Sequence, residues 1–118
     1  KKVLVTGAAG FIASKVCEFL LQEGVEVVGI DNLNDYYDVE LKAERLKTLK
    51  GQAGFQFLVM DIEDQKALHG LFSAHQFDTV FNLAARAGVR YSIENPHIYM
   101  STNAQGSLNL LECMREFK

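Results

Sequence analysis

Several things are scarce in this sequence, and each scarcity excludes a class of protein. The two cysteines, Cys17 and Cys113, have neither C-x-x-C spacing nor a neighbouring histidine partner. That excludes a disulfide framework or thiolate metal site and points to reduced, buried thiols. Dense Lys/Arg clusters are missing and the formal net charge is −3, so neither a nucleic acid nor an anionic membrane is expected as partner. No apolar run approaches the roughly 20 residues of a membrane span, and no leader-like segment precedes the first strand, so a cytoplasmic location is expected. His69 and His75 lie six residues apart, the wrong spacing for a shared metal. Internal repeats, low-complexity tracts and linkers are also absent. What remains is one domain of 118 residues, 48% hydrophobic and long enough to bury a sizeable core.

The strongest pattern runs from Lys2 to Asp31. Val3, Leu4 and Val5 form a short apolar run, as in a parallel strand covered on both faces. The turn Thr6-Gly7-Ala8-Ala9-Gly10 follows, with glycines where the chain must bend sharply and a bulky anion must approach without meeting a Cβ. A helix is expected from near Gly10, and its free N–H groups and positive end suit a pyrophosphate. Ile12, Val16, Phe19 and Leu20 recur at helical spacing as its expected buried face, and Gly24 is a natural stop.

A second strand, Val25 to Ile30, ends in Asp31, about twenty residues beyond the turn. A carboxylate there accepts hydrogen bonds from the adenosine ribose and repels a 2′-phosphate. No Arg or Lys follows until Lys42, so NAD is expected over NADP. Gly7, Gly10, Phe11, Ile12, Asp31 and Asn32 are the candidate cofactor residues of this unit. The competing reading is a tight strand-to-helix turn that holds no ligand.

The loop from Asn32 to Tyr37 leaves the ligand-binding end of the strand. Asn32 and Asp35 are candidates for the adenosine end, although Asn and Asp also serve turns for backbone reasons. Val39, Ala43, Leu46 and Leu49 make a helical stripe over Val39 to Leu49, with Lys42, Glu44, Arg45 and Lys47 as its expected solvated side. Gly51 to Gly54 breaks it. The third strand, Phe55 to Met60, ends in Asp61-Ile62, where the carboxylate suits the adenine amine and Ile62 the ring; alternatively Asp61 caps the next helix. That helix, about Asp64 to Ala74, shows Leu68, Leu71 and Phe72 on one face.

The fourth strand, Thr79 to Leu83, runs into Ala84-Ala85-Arg86-Ala87-Gly88. Small residues after a central strand suit close passage of a ligand, which makes Leu83, Ala84 and Ala85 candidate cofactor contacts. Arg86 and Arg90 are the cations near the expected cleft and suit planar oxyanions, or else are solvated loop residues. Asn95-Pro96 opens a helix to about Phe117, with Ala104, Leu108, Leu111, Leu110, Met114 and Phe117 as its expected core face. Asn109 is a polar residue near that face, and Asn103 is a candidate for the cleft. Strand and helix alternate throughout, which predicts an α/β doubly wound (Rossmann) fold: a parallel sheet in the order 3-2-1-4 within three α/β/α layers, ending after the fourth strand and its helix.

Together these residues resemble the extended short-chain dehydrogenase/reductase family, specifically its NAD-dependent sugar-nucleotide epimerases and dehydratases. Thr6-Gly7-Ala8-Ala9-Gly10-Phe11-Ile12-Ala13 is similar to the family's T-G-x-x-G-F-I-G turn, and Asp31-Asn32, Asp61-Ile62, Leu83-Ala84-Ala85 and Asn103 through Asn109 fall at its later landmarks. DNLNDYYDVELKAERL and AGVRYSIENPHIY are similar to UDP-glucuronate 4-epimerases more than to UDP-galactose 4-epimerases. Three positions depart from the pattern: Ala13 replaces a glycine, Asn82 a histidine and Arg86 a common glutamine.

The resemblance implies an isomerase that oxidises C4 of a nucleotide sugar with NAD and returns the hydride to the other face. It implies a nucleotide-sugar substrate, a homodimer, and a catalytic Tyr-x-x-x-Lys pair with a Ser or Thr. None of Tyr36, Tyr37, Tyr91 and Tyr99 has a lysine four residues later. The chain is therefore expected to be the NAD-binding N-terminal part of such an enzyme, with the catalytic residues past Lys118 and the substrate domain absent. A dehydratase or reductase on the same scaffold, and a non-catalytic dinucleotide-sensing module, are the alternatives.

Overall fold

A computed structural model describes residues 1–33, 39–84 and 93–117. They fall into two compact units, Lys1–Met60 with Phe77–Leu83, and Asp61–Gln76 with Ala84–Lys118.

The first unit holds a four-stranded parallel sheet built from β1 (Lys2–Thr6), β2 (Glu26–Asp31), β3 (Phe55–Val59) and β4 (Thr79–Asn82). The strand order is β3-β2-β1-β4, the expected doubly wound order. Val3 pairs with Val27 on one side and Thr79 on the other, and Asp31 pairs with Val59. Being central, β1 is apolar on both faces, and Val3, Leu4 and Val5 are all buried. Two helices belong to this unit, α1 (Phe11–Gln22) and α2 (Val39–Lys50). Val3, Val5, Ala8, Ala13, Cys17, Val27 and Leu49 form its core cluster.

The buried face of α1 differs from the expected one. Ile12 and Phe19 are 66% and 64% exposed, while Ala13, Ser14 and Cys17 are buried. The cause lies in β2: a Cβ on Gly29 would sit 2.7 Å from the Ala8 Cβ, so turn and strand are nearly in backbone contact. That close approach draws the helix in on its small residues, and the methyl of Ala13 is accommodated in the core. The stripe on α2 is also rotated. Leu46 and Leu49 are buried as expected, but Ala43 is exposed and Lys42 is buried.

The second unit contains α3 (Gln65–Ala74), a short α4 (Pro96–Tyr99), a π-helical segment (Met100–Gln105) and α5 (Gly106–Glu116). Leu68, Leu71 and Phe72 are buried on α3, as its periodicity predicts. The last helix departs from its expectation twice. It is interrupted by the π turn, and its buried residues are Gly106, Asn109, Leu110 and Cys113, whereas Leu108, Leu111 and Met114 are exposed. The buried stripe starts at Thr102 inside the π segment and continues at Gly106, Asn109, Leu110 and Cys113, with Ala104 on the exposed side beside Leu108 and Leu111. Gly106 then sits so close to Ile62 that a Cβ would lie 2.5 Å from its Cδ1. Asn95 occupies the cap position before Pro96 without a side-chain cap bond.

Candidate functional site

The turn between β1 and α1 is shaped by its glycines. Gly7 has φ +67°, a conformation that side chains rarely adopt, and Gly10 caps α1 in extended geometry. Gly10 N–H donates to Gly7 O at 2.8 Å and Ala8 N–H to Ile30 O at 3.0 Å, which closes the turn onto β2. A glycine at the cap brings no side chain to the first turn of α1, and that turn contains no acidic residue. Phe11 is 70% exposed, and Ile12 beside it faces solvent too. An open helix N-terminus without a carboxylate is the environment a diphosphate requires, so the residues present fit a dinucleotide.

Asp31 lies at the end of β2 beside this turn. Its Oδ2 accepts from the Ala9 N–H at 3.1 Å and its Oδ1 from the Leu33 N–H at 2.7 Å. Lys42 supplies the third partner, with Nζ 3.3 Å from Oδ1 and side-chain exposures of 6% for Lys42 and 5% for Asp31. This corrects two sequence expectations: Lys42 is not solvated, and the carboxylate is not without a cation. Eleven residues separate the pair in the chain, and the rotation of α2 closes that gap. Removing one member would strand a buried charge at a cost of about 3–5 kcal/mol. Arg45, expected to be solvated, is half-buried: its Nη1 donates to Ala9 O at 3.2 Å and its guanidinium lies 5.7 Å from the Phe11 ring centroid. Spacing alone gave no sign of either contact, because Lys and Arg on an amphipathic helix normally mark its wet face. Asn32 is half-buried next to Asp31.

At the end of β4, the buried Thr6 hydroxyl donates to Asn82 Oδ1 at 2.7 Å and accepts from the Leu83 N–H at 3.0 Å. The side chain that departs from the family's histidine is thus fixed by the first residue of the glycine turn.

In the second unit, Asp61 Oδ1 accepts from the Glu63 N–H at 2.9 Å. Asp61 does not cap α3: the cap is Asp64, whose Oδ1 accepts from the Ala67 N–H at 3.1 Å. Ile62 is buried against Gly106, and its carbonyl accepts from Asn109 Nδ2 at 2.9 Å, with Gln105 Nε2 donating to Asn109 Oδ1. The buried amide at 109 thereby finds the partners it needs. Asn103 is exposed within the π segment, and Ala84 is half-buried. Ala85, Arg86, Arg90, Asp35, Tyr36 and Tyr37 lie outside the described residues. Among the described residues no acidic, His or Cys cluster is arranged for a metal, and no helix is long and apolar enough to cross a membrane.

The sheet order, the glycine turn and the acidic end of β2 define a doubly wound nucleotide-binding domain. The chain belongs to the GDP-mannose 4,6 dehydratase family, whose model matches residues 4–118. It is 54% identical over 114 residues to the UDP-glucuronate 4-epimerase of Thermodesulfobacterium geofontis, covering 97% of this chain and 35% of that protein. The solved UDP-glucuronic acid 4-epimerase of Bacillus cereus, in complex with UDP-glucuronic acid and NAD, matches with TM-score 0.87 and 37% identity over 100% of this chain and 37% of its own. The Thermus thermophilus UDP-glucose 4-epimerase, in complex with NAD, matches with TM-score 0.82 and 35% identity over 99% of this chain and 34% of its own. The chain thus spans about a third of the length of these relatives.

Proposed function

We propose that this chain is the NAD-binding part of a UDP-sugar 4-epimerase of the UDP-glucuronate type, acting by transient oxidation at C4. The observation that carries this is the glycine turn held against Asp31 by the Ala9 N–H, in a chain 54% identical to a UDP-glucuronate 4-epimerase. The backbone at Gly7, Gly10, Phe11 and Ile12 takes the diphosphate, and Asp31 with Asn32 takes the adenosine ribose. Roles for Asp61, Ile62, Leu83, Ala84, Ala85 and Asn103 toward the same cofactor, and for Arg86 and Arg90 toward the substrate, rest on family membership. NAD supplies the hydride acceptor when bound. The base that serves the C4 hydroxyl is not among the tyrosines of this chain. Domain 1–118 is taken as the N-terminal part of the dinucleotide-binding domain, in a cytoplasmic enzyme. The exposed Leu108, Leu111 and Met114 of α5 support a homodimer.

A dehydratase is the second reading, favoured by the description of the matching family model. Incubating the full-length protein with UDP-glucuronate distinguishes the two. UDP-galacturonate formation supports the epimerase, and absence of conversion removes it. Asp31→Ala in that protein should weaken NAD binding at least tenfold, and unchanged affinity overturns the cofactor assignment.

A further inference from the structure

The buried pair at the end of β2 bears on which dinucleotide this turn accepts. Asp31 alone would repel a 2′-phosphate, a group that carries between one and two negative charges near neutral pH. Here the carboxylate does not act alone. Lys42 contacts its Oδ1 at 3.3 Å from within the same buried pocket of side chains, while Ala9 and Leu33 N–H groups fix its plane. Arg45, one turn further along α2, holds the carbonyl of the same Ala9 whose N–H binds Asp31. One cation of α2 therefore pairs with the carboxylate while a second holds the turn that binds it, and the local charge at this end of β2 is not that of a bare acid.

Resting on the cofactor reading above, we propose that Lys42 sets the nucleotide selectivity of this site: its ammonium offsets the repulsion between Asp31 and a 2′-phosphorylated ribose. The wild-type preference for NAD over NADP is then moderate, and it becomes steep when Lys42 loses its charge. Removing a buried unit charge that stands 3.3 Å from the Asp31 carboxylate changes the relative affinity for the two nucleotides by about ten- to hundredfold. Lys42 is a selectivity residue, acting by its own charge beside Asp31.

The test is the ratio of dissociation constants, NADP over NAD, measured by calorimetry on nucleotide-free full-length protein. Lys42→Met should raise the ratio at least tenfold, and Lys42→Arg should leave it within about threefold of wild type. A merely structural lysine would weaken both nucleotides together, so an unmoved or lowered ratio in Lys42→Met overturns the assignment. If Lys42→Met does not fold, Asp31→Asn and the double variant Asp31→Asn/Lys42→Met decide. The single variant should gain NADP affinity and the double variant should lose that gain; equal gains in both overturn the proposal. A wild type that binds neither nucleotide overturns the cofactor reading itself, and a wild type that binds NAD with a ratio insensitive to Lys42 overturns only this inference.

Discussion

Thr6 and Asn82, 76 residues apart in sequence, are joined by a 2.7 Å hydrogen bond at the carboxyl ends of β1 and β4. The same hydroxyl accepts from the Leu83 N–H, so one fully buried oxygen sets both the Asn82 side chain and the chain leaving β4. Thr6→Val keeps the shape and removes both bonds. It should destabilise the protein by about 1–3 kcal/mol, the net loss of two hydrogen bonds. Thr6→Ser should recover most of that in urea denaturation.

Gly29→Ala tests the close approach of turn and strand. The added methyl would meet the Ala8 Cβ at 2.7 Å and the Phe55 ring at 3.0 Å, and neither is the end of a flexible chain. Overpacking of this kind costs about 1–3 kcal/mol. The expected outcome is a lowered denaturation midpoint together with weaker NAD binding, because the displaced segment is the turn proposed to hold the diphosphate.

At Gly106 two effects oppose one another. Alanine gains about 1 kcal/mol of helix propensity but drives its methyl to 2.5 Å from Ile62 Cδ1 and Cγ1. Overpacking wins, so Gly106→Ala should destabilise on its own. In an Ile62→Ala background the clash is gone and the same substitution should stabilise, which a double-mutant cycle by chemical denaturation will read as strong non-additivity.

Burial, reinforced by Glu18, pushes the Cys17 thiol up to about 12. A thiol with its pKa raised in the folded state favours folding below its unfolded value, near 8.5, and loses that contribution as pH rises toward the folded value. Stability should therefore decline between about pH 9 and 12, by up to roughly 1.4 kcal/mol per pH unit from this group. Cys17→Ser should flatten that slope. Alkylation of Cys17 at pH 8 should follow global unfolding, not local access.

Sequence alone determined the order of elements, the strand order of the sheet, the glycine turn, the acid at position 31 and the buried face of α3. Each follows from local periodicity or from backbone needs that only particular residues meet, such as the positive φ at Gly7. Tertiary structure decided how each helix is rotated about its axis. Periodicity locates a stripe, but which neighbouring stripe faces the core depends on what packs there. The contact of Gly29 with Ala8 turned α1 onto Ala13 and Cys17, and packing against Ile62 set the core face of the last helix at Gly106 and Asn109. The pairing of Lys42 with Asp31 is of the same kind: a lysine that reads as solvated in one dimension is drawn inward by a buried carboxylate that needs a counter-charge.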